Sequence, residues 1–479
     1  MKFDEMTISK LFGAEAAEDE DEERLQQYYF KNDVYDQVVN DLPLRIIVGH
    51  KGIGKSALFK VAINEENEKN RLTLLIKPDD IDGIGENDKE FLKLIKEWKK
   101  GLLDIIIQKV LSSFGSCLDQ NTDDWRIKLN NFGGKVIDFL TNTIQQDKVN
   151  LTPSKQLILE NFLKHGKISI YIDDLDRGWQ GRRQDIHRIS ALLNAVRDLA
   201  SDNKGLFFRI SLRSDVYYLA RTSDESTDKI ESSVIWYKWD NHQILALLVK
   251  RIESYFGRNI SESVLIKKTQ SNLMNYLKPI IEEKFTGKGH WADTPMYRVL
   301  MSLIRKRPRD LVKILTLSAR EAHRSGSEII KTNHLESIFE EYSQSRLQDT
   351  INEYRSELPD IERLILGMRP SARARRASTN FLFSSQELQQ KIRSIEEQGK
   401  FKWANGKQAT ISELAGFLYK INFITARKQT ENGIDRKYFE ENRYLSNNFR
   451  DFGYDWEVHP AYRWALQPED PFEVFQSLD

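Results

Sequence analysis

Residues 44–56 read LRIIVGHKGIGKS. Its first five residues are apolar except Arg45 and follow Pro43, which is typical of a buried strand in a parallel sheet. The next part has the pattern G-x-x-x-x-G-K-S, and the residues after it show helical periodicity. A strand, a glycine-rich loop and a helix in this order predict a phosphate-binding loop in an α/β fold.

The fixed residues of the loop predict ATP binding, because each has a role toward phosphate. Glycines let the backbone turn so that successive N–H groups face phosphate oxygens, and the helix N-terminus adds partial positive charge. Lys55 would reach the β- and γ-phosphates, and the Ser56 hydroxyl would take one Mg²⁺ position. A glycine turn without a ligand is the disfavoured alternative. The predicted nucleotide-binding residues are Gly49, His50, Lys51, Gly52, Ile53, Gly54, Lys55, Ser56 and Ala57.

Further apolar runs predict three more strands, at residues 72–76, 168–172 and 205–212. Helical patterns lie between them, and alternating strands and helices imply a three-layer parallel sheet. The strand signals stop near residue 240, after which residues 241–350 show helical patterns. We predict five regions: an N-terminal segment 1–42, a P-loop ATPase core 43–240, a helical lid 241–368, a linker 369–380 and a winged-helix-like domain 381–479.

Two segments outside the core invite a prediction from composition. The acidic run EAAEDEDEE at residues 15–23 favours a solvated segment over a partner-binding tail. The linker contains RPSARARRAS at residues 369–378, which has too few apolar side chains to order itself by burial. We therefore expect the domain beyond this linker to move relative to the ATPase core.

Two adjacent carboxylates, Asp173 and Asp174, follow the strand predicted at residues 168–172. Ligands of open parallel sheets bind outside the carboxyl ends of the strands, where this pair would lie. We predict Asp173 as the Mg²⁺ partner, directly or through water, and Asp174 as the base for the attacking water. The alternative is that Asp174 only caps the next turn. Arg177, in the sequence DDLDR, would pair locally or point toward a neighbouring subunit.

Arginines suited to sensing the nucleotide occur at two places. Arg213 follows a predicted strand, in the sequence LRSD, and would stabilise transition-state charge at the γ-phosphate unless it only forms a surface salt bridge. The second place is RKRPRD at residues 305–310, where Pro308 suits the first turn of a helix. Arg307 or Arg309 would face the nucleotide from there, unless the run is an ordinary basic helix start. We select Arg309.

The motifs GHKGIGKS, IYIDDLDR, LRSD and RPRDL, in this order, resemble the bacterial P-loop ATPases of the AAA+/STAND group, including the KAP-type ATPases. The resemblance covers roughly residues 30–350. It implies a sheet with an added strand between the phosphate-loop strand and the acidic strand. It also implies Mg²⁺ binding by Asp173, Asp174 as base, Arg213 as first sensor and Arg309 as lid sensor.

KAP-type members usually carry transmembrane insertions within the core, which this chain lacks. The resemblance is therefore to the soluble members, which are often encoded in bacterial defence or mobile loci.

The sequence pattern of the C-terminal region predicts a winged-helix fold. Residues 381–397 and 411–423 look like helices, and residues 424–427 and 455–458 like the paired strands of a wing. Such a module contacts protein or nucleic acid, and protein or intramolecular contact is preferred. His459 is read as structural, because no His or Cys cluster accompanies it. The nearby basic residues, diluted by Glu440 and Glu441, are Arg373, Arg375, Arg376, Arg427, Lys428, Arg436 and Lys437.

Composition limits the remaining possibilities. Lys+Arg and Asp+Glu both number 72 in 479 residues, so any nucleic-acid partner needs a local basic patch. The single cysteine, Cys117, excludes an intramolecular disulfide. The start, MKFDEMTISKLFG, is not a secretory signal, and no run approaches the ~20 apolar residues of a membrane helix. We predict a soluble cytoplasmic protein with no membrane partner.

These observations favour a Mg²⁺-dependent ATPase that acts as a molecular switch or assembly ATPase, with antiviral defence or a mobile element as its setting. The alternatives are a DNA-acting loader or remodeller and a nucleotide-bound scaffold with negligible turnover. Charge balance weakens the loader, and the acid pair weakens the scaffold. We predict a homo-oligomer, while a partner protein or effector and a nucleic acid remain open as partners.

Overall fold

A computed structural model describes residues 1–85, 90–115, 135–146, 152–223, 225–370, 380–430, 433–443, 445, 453–467, 474–475 and 478. The chain divides into two compact units. The core unit comprises Lys31–Lys51 and Lys55–Tyr237, and the lid unit comprises Met1–Phe30, Gly52–Gly54 and Lys238–Asp479. Among the described residues, no helix combines the length and the apolar character needed to cross a bilayer.

The core unit is built on a five-stranded parallel sheet in the order β2-β3-β4-β1-β5. β4 therefore lies between the phosphate-loop strand β1 and the acidic strand β3, as the resemblance implies. Ile46, Ile47 and Val48 are consecutive and fully buried, so both faces of β1 are covered. The strands are β1 Leu44–Gly49, β2 Leu72–Ile76, β3 Ile168–Ile172, β4 Leu206–Arg213 and β5 Val234–Trp236.

Helices cover this sheet and complete the α/β core. The longest, α5, packs along α8, and Trp98 and Leu193 from these two helices join the hydrophobic core around Ile170 of the sheet. The helices of the core unit are α3 Asp33–Val39, α4 Lys55–Glu68, α5 Phe91–Ser113, α6 Val136–Gln146, α7 Pro153–His165, α8 Arg183–Asp202 and α9 Ser214–Ser223. Short 3-10 helices lie at Pro78–Asp80 and Glu225–Ser233.

The lid unit contains the predicted helices of the lid and two helices from the N-terminus. The helix Pro308–Arg324 begins with Pro308, as predicted. Proline is tolerated at the first position of a helix, because the N–H group that it lacks would have no partner within the helix. The helices are α1 Glu5–Phe12, α2 Glu22–Tyr28, α10 Asn241–Tyr255, α11 Glu262–Ile266, α12 Gln270–Met274, α13 Met296–Leu303, α14 Pro308–Arg324, α15 Thr332–Glu336, α16 Phe339–Tyr354 and α17 Ile361–Gly367. Short 3-10 helices lie at Ala17–Asp19 and Gly289–Trp291.

The C-terminal domain is winged-helix-like, so the predicted fold class is confirmed. Its antiparallel sheet has the order β6-β9-β7-β8, and the predicted wing strands pair from Ile424 with Val458 to Arg427 with Asp455. β6 and β8 were not predicted, because two residues and the polar sequence GIDRK carry no apolar run. The elements are β6 Leu382–Phe383, α18 Ser385–Glu396, α19 Ile411–Lys420, β7 Ile424–Thr430, β8 Gly433–Lys437, β9 Asp455–Val458, a 3-10 turn Pro460–Tyr462 and α20 Arg463–Leu466.

The lid and the C-terminal domain share a buried polar network. Arg305 donates two hydrogen bonds to the Asp310 carboxylate, at 2.8 and 2.9 Å, and one to the Tyr462 hydroxyl at 3.0 Å. Arg346 donates to Asp310 at 2.7 Å. Burial by itself raises the pKa of Asp310, but the guanidinium groups of Arg305 and Arg346 outweigh it and hold the pKa well below its usual range.

The lid and the C-terminal domain, which the sequence predicted to be separated by a linker, are in direct contact through this network. Aromatic rings also join them, with the Phe339 and Trp464 ring centroids 4.6 Å apart. The two parts therefore pack as one compact unit, because their contact surface is buried. Most of the predicted linker, residues 371–379 with Arg373, Arg375 and Arg376, lies outside the described residues, as does Cys117.

The N-terminal segment differs from the solvated segment that its composition favours. Most acids of the run are exposed, but Leu11, Phe12 and Leu25 on either side of it are buried. α1 packs against α10 and α14 of the lid. The acidic run is therefore a surface loop between two helices whose apolar faces are covered.

Candidate nucleotide-binding site

The phosphate loop has the backbone that its glycines predict. Gly52 and Gly54 have φ of 78° and 104°, in the region that favours glycine. Lys55 opens α4, and its Nζ donates to the carbonyls of Gly49 at 3.0 Å and His50 at 3.2 Å. The lysine ammonium thus lies over its own loop. Ser56 and Ala57 follow in the first turn of α4, half-buried, and Lys51 is exposed.

The start of the loop is tied to the end of β4. His50, which is buried, forms a hydrogen bond of 3.1 Å between Nδ1 and the Ser214 hydroxyl. Ser214 begins α9 directly after Arg213. The loop and the segment that carries the predicted sensor are therefore held together within the core unit.

The tip of the loop, Gly52–Gly54, belongs to the lid unit and contacts side chains of that same unit. Trp239 Nε1 donates to the carbonyl of Ile53 at 2.9 Å. A Cβ added to Gly52 would lie 3.1 Å from both Cβ and Cδ of Arg309, and the Arg309 amide approaches the Gly52 carbonyl at 3.5 Å. Arg309, which the resemblance implies as the lid sensor, therefore lies against Gly52, and a side chain at Gly52 would require Arg309 to shift.

The acid pair lies at the end of β3, and its two members have different environments. The Asp173 carboxylate is half-buried, and its Oδ1 accepts hydrogen bonds from the Ser211 hydroxyl and from the Asp174 amide, the latter at 3.0 Å. Asp174 is exposed and has φ of 61°. A non-glycine residue in this left-handed region is uncommon and frequently marks a functional turn.

Arg213 is held by two carboxylates of the core unit. It donates to both oxygens of Asp215, at 3.0 and 2.6 Å, and to Asp176 at 3.2 Å. Its side chain is largely buried. Arg213 therefore does not form the surface salt bridge that was considered as an alternative. It forms two largely buried salt bridges, one of which is to Asp176 in the DDLDR turn.

The three arginines of RKRPRD have different partners. Arg305 belongs to the buried network with Asp310, and Arg307 is buried against Glu353, with Nη1 to Oε2 at 3.0 Å. Arg309 is only half-buried and contacts Gly52. Of the two lid candidates, Arg309 is therefore the one beside the phosphate loop.

Three groups that hold the site were not predicted: the Ser211 hydroxyl, the Trp239 indole and the carbonyl of Glu15, which accepts from Arg309 Nε at 3.0 Å. Ser211 interrupts the apolar strand FFRISL two residues before Arg213, and that interruption was the available signal. The other two contacts join residues far apart in the chain and leave no local pattern.

The oxygen groups fit Mg²⁺ in a nucleotide complex. Mg²⁺ takes one or two protein oxygens and completes its octahedron with phosphate oxygens and water. Ser56 and Asp173 provide one hydroxyl and one carboxylate, both in the core unit. In the described part of the chain, no group of three or more His, Cys, Asp or Glu side chains forms a metal site by itself.

Comparisons with known proteins give partial matches. Residues 242–351 match the family described as the FunZ-associated C-terminal helical domain. The chain is 23% identical to the 80.3 kDa protein assigned to transposon gamma-delta in Escherichia coli K12, over 98% of this chain and 70% of that protein.

Two solved structures illustrate the overall likeness. The Walker-type ATPase PabY2304 of Pyrococcus abyssi is 15% identical, with a TM-score of 0.39 over 87% of this chain and 93% of that chain. The ORC2 protein of Aeropyrum pernix, solved in ADPNP and ADP complexes, is 11% identical, with a TM-score of 0.41 over 95% and 93%.

Proposed function

We propose that this chain binds ATP with Mg²⁺ and hydrolyses it, acting as a molecular switch or assembly ATPase. The observation that carries the proposal is the Asp173–Asp174 pair at the end of β3, which only β4 separates from the strand that leads into the phosphate loop. Neighbouring strands lie about 4.8 Å apart, so β1 and β3 are separated by roughly 10 Å. The acid pair and the phosphate loop are therefore at the same edge of the parallel sheet, where a nucleotide and its Mg²⁺ would bind.

Each residue then has a distinct role. The loop amides and Lys55 hold the phosphates, while Ser56 and Asp173 hold Mg²⁺, which would neutralise charge on the β- and γ-phosphates. Both hydrogen bonds to Asp173 go to Oδ1, which points to Oδ2 as the oxygen for the metal or its water. Asp174, which is exposed and has a left-handed backbone, is the base for the attacking water.

The two arginines serve as sensors in this proposal. Arg213 donates through its fork to Asp215 and Asp176, and a γ-phosphate would compete with Asp176 for that fork. Arg309, against Gly52, provides a second cation beside the loop. ATP binding would therefore change the contacts of Arg213 with the DDLDR turn and those of Arg309 in the lid.

The test separates binding from turnover. Lys55→Ala should lose ATP binding, because it removes the point charge on the β- and γ-phosphates. Asp174→Asn should keep binding and lose hydrolysis, since only base character is removed. Binding is measured with a fluorescent ATP analogue and turnover by phosphate release. Wild-type turnover in the Asp174→Asn variant would remove the base assignment, and wild-type protein that binds without turnover would favour the scaffold.

The contacts of the C-terminal domain support protein or intramolecular contact over DNA binding. α19, the second helix of the winged helix, is buried from Leu414 to Tyr419 and offers few side chains to a DNA groove. Arg436 donates to the buried Glu457 at 2.7 Å, and Lys437 pairs with Asp435 at 3.0 Å. Two of the described basic residues near the wing thus already pair with local carboxylates.

We further propose a cytoplasmic homo-oligomer that works in a mobile element or a defence system. The similarity to the gamma-delta transposon protein supports the first setting. The DNA-acting alternative predicts duplex binding whose affinity falls steeply with salt. An electrophoretic titration of the full chain at two salt concentrations tests it, and nanomolar, salt-sensitive binding would make the DNA-acting reading the better one.

A further inference from the structure

The acidic N-terminal segment contacts the lid helix at the arginine that lies beside the phosphate loop. Arg309 Nε donates to the backbone carbonyl of Glu15 at 3.0 Å. Lys313, one turn further along α14, forms an ion pair of 3.1 Å with the Glu15 carboxylate. Residues four apart on a helix share one face, so Glu15 bridges two cations of the same face.

The turn that presents Glu15 is specifically built. Gly13 ends α1 with φ of 75° and ψ of 178°, a conformation that is essentially limited to glycine. A Cβ on Gly13 would lie 2.6 Å from the Tyr28 hydroxyl and 2.9 Å from Glu20 Oε2. Glu20 Oε2 accepts the Ala14 amide at 2.5 Å, and Glu20 is only 8% exposed. A buried carboxylate within a run of exposed acids indicates that this one shapes the turn.

The helix before the turn is anchored to the same lid helix. Arg320 of α14 donates to both carboxylate oxygens of Glu5, each at 2.9 Å. Arg251 of α10 donates to the carbonyl of Phe12, the last residue of α1. Helix α1 is thus fixed at both ends, and the position of Glu15 relative to Arg309 follows from it.

The hydrogen bonds of Arg309 leave its terminal nitrogens available. Nε is taken by Glu15, while neither terminal nitrogen donates a hydrogen bond to any residue that the structure describes. A guanidinium fixed through Nε loses less rotamer freedom when its terminal nitrogens bind an anion. We propose, on the basis of the ATPase function above, that Glu15 and Glu20 are positioning residues that hold Arg309 for the ATP phosphates.

The experiment compares Glu20→Ala with Asp19→Ala, which removes the same charge from an exposed neighbour. Both are made in the wild-type and in the Arg309→Ala background, and kcat and KM for ATP are measured by phosphate release. We expect Glu20→Ala to lower kcat/KM by roughly tenfold in the wild-type background and to have no further effect without Arg309. Asp19→Ala should match its parent in both backgrounds.

The outcomes are distinguishable. A wild-type chain without ATPase activity would overturn the proposed function rather than this inference. An active wild type, with Glu20→Ala unchanged or with effects of Glu20→Ala and Arg309→Ala that multiply, would overturn this inference. If Glu20→Ala lowers the melting temperature so far that the protein unfolds, Glu5→Ala replaces it, because Glu5 is exposed and its loss loosens α1 only through Arg320. The same dependence on Arg309 is then required.

Discussion

The hydroxyl of Ser211 donates a hydrogen bond to Oδ1 of Asp173. Ser211 lies in β4, where it pairs with Ile47 of the phosphate-loop strand, and Asp173 follows the strand on the other side of β4. Asp173 is the proposed metal ligand. Its carboxylate is therefore oriented by a residue of β4, the strand that lies between β3 and the phosphate-loop strand β1.

Ser211→Ala should weaken Mg²⁺ binding without removing ATP binding. Groups that orient a metal ligand typically contribute 10–100-fold to metal affinity, so we expect the Mg²⁺ concentration for half-maximal ATPase rate to rise by about tenfold. Ser318→Ala is the matched control, because that buried hydroxyl only donates to Ile314 of its own helix. An unchanged Mg²⁺ dependence in Ser211→Ala would contradict the assignment of Asp173.

ATP should promote self-association of the hydrolysis-deficient Asp174→Asn chain at micromolar concentration. Arg182 and Arg183 are exposed after the DDLDR turn, where they would reach the phosphate of a neighbouring subunit. Mass photometry with ADP and with ATP measures the oligomer. Replacing both arginines by alanine should leave a monomer, whereas Arg324→Ala, an equally exposed arginine that pairs only within its own helix, should not. A monomer with ATP in all variants would exclude the oligomer.

Asp310→Asn should destabilise the lid unit strongly. The substitution removes the carboxylate that the buried guanidinium groups of Arg305 and Arg346 share, and breaking a buried pair typically costs about 3–5 kcal/mol. Glu441→Gln, which breaks a more exposed pair with Lys306, should cost at most about 1 kcal/mol. Urea unfolding followed by tryptophan fluorescence compares the two, and equal midpoints would show that the network contributes little.

Acid should destabilise the C-terminal domain through His459. Burial and then the charge of Arg305 lower the pKa of His459 from 6.5 to about 3. The ring is held inside the domain, where Nδ1 accepts the Ala461 amide at 3.1 Å and Nε2 lies 2.9 Å from the Tyr438 hydroxyl. The unfolded chain binds the proton more readily, so stability is full above pH 6.5 and falls as the pH drops toward 3. At pH 5 the loss is on the order of 2 kcal/mol.

The window between pH 6.5 and 4.5 distinguishes His459 from the buried carboxylates. Burial raises the pKa of Glu457, but Arg463 and Arg436 lower it to about 2, so its contribution is lost only below its unfolded value of 4.5. His459→Asn keeps an acceptor for the Ala461 amide and cannot titrate. Between pH 6.5 and 4.5, the urea midpoint of His459→Asn should therefore change less with pH than that of the wild type. Parallel curves would contradict the role of His459.

Local patterns predicted the strands that carry five mostly apolar residues in succession. The strands at residues 72–76 and 168–172 were predicted with the bounds that they have, because each is such a run. β5 was missed, since three residues at the edge of the sheet carry too short a run. The tight backbone turn of the phosphate loop was also predicted, because Gly52 and Gly54 adopt positive φ angles that other residues rarely take.

Local sequence was enough to predict the central strands, the phosphate loop and the acid pair, since apolar runs, glycines and strand-end acids depend on neighbours along the chain. It did not distinguish the arginines of RKRPRD, and their contacts depend on packing. Arg307 and Arg309 carry the same local signal, yet Arg307 is buried against Glu353 and Arg309 lies between Gly52 and Glu15. A long cationic side chain takes the partner that packing brings within reach, and here those partners are separated from it by 46 and 294 positions in the chain.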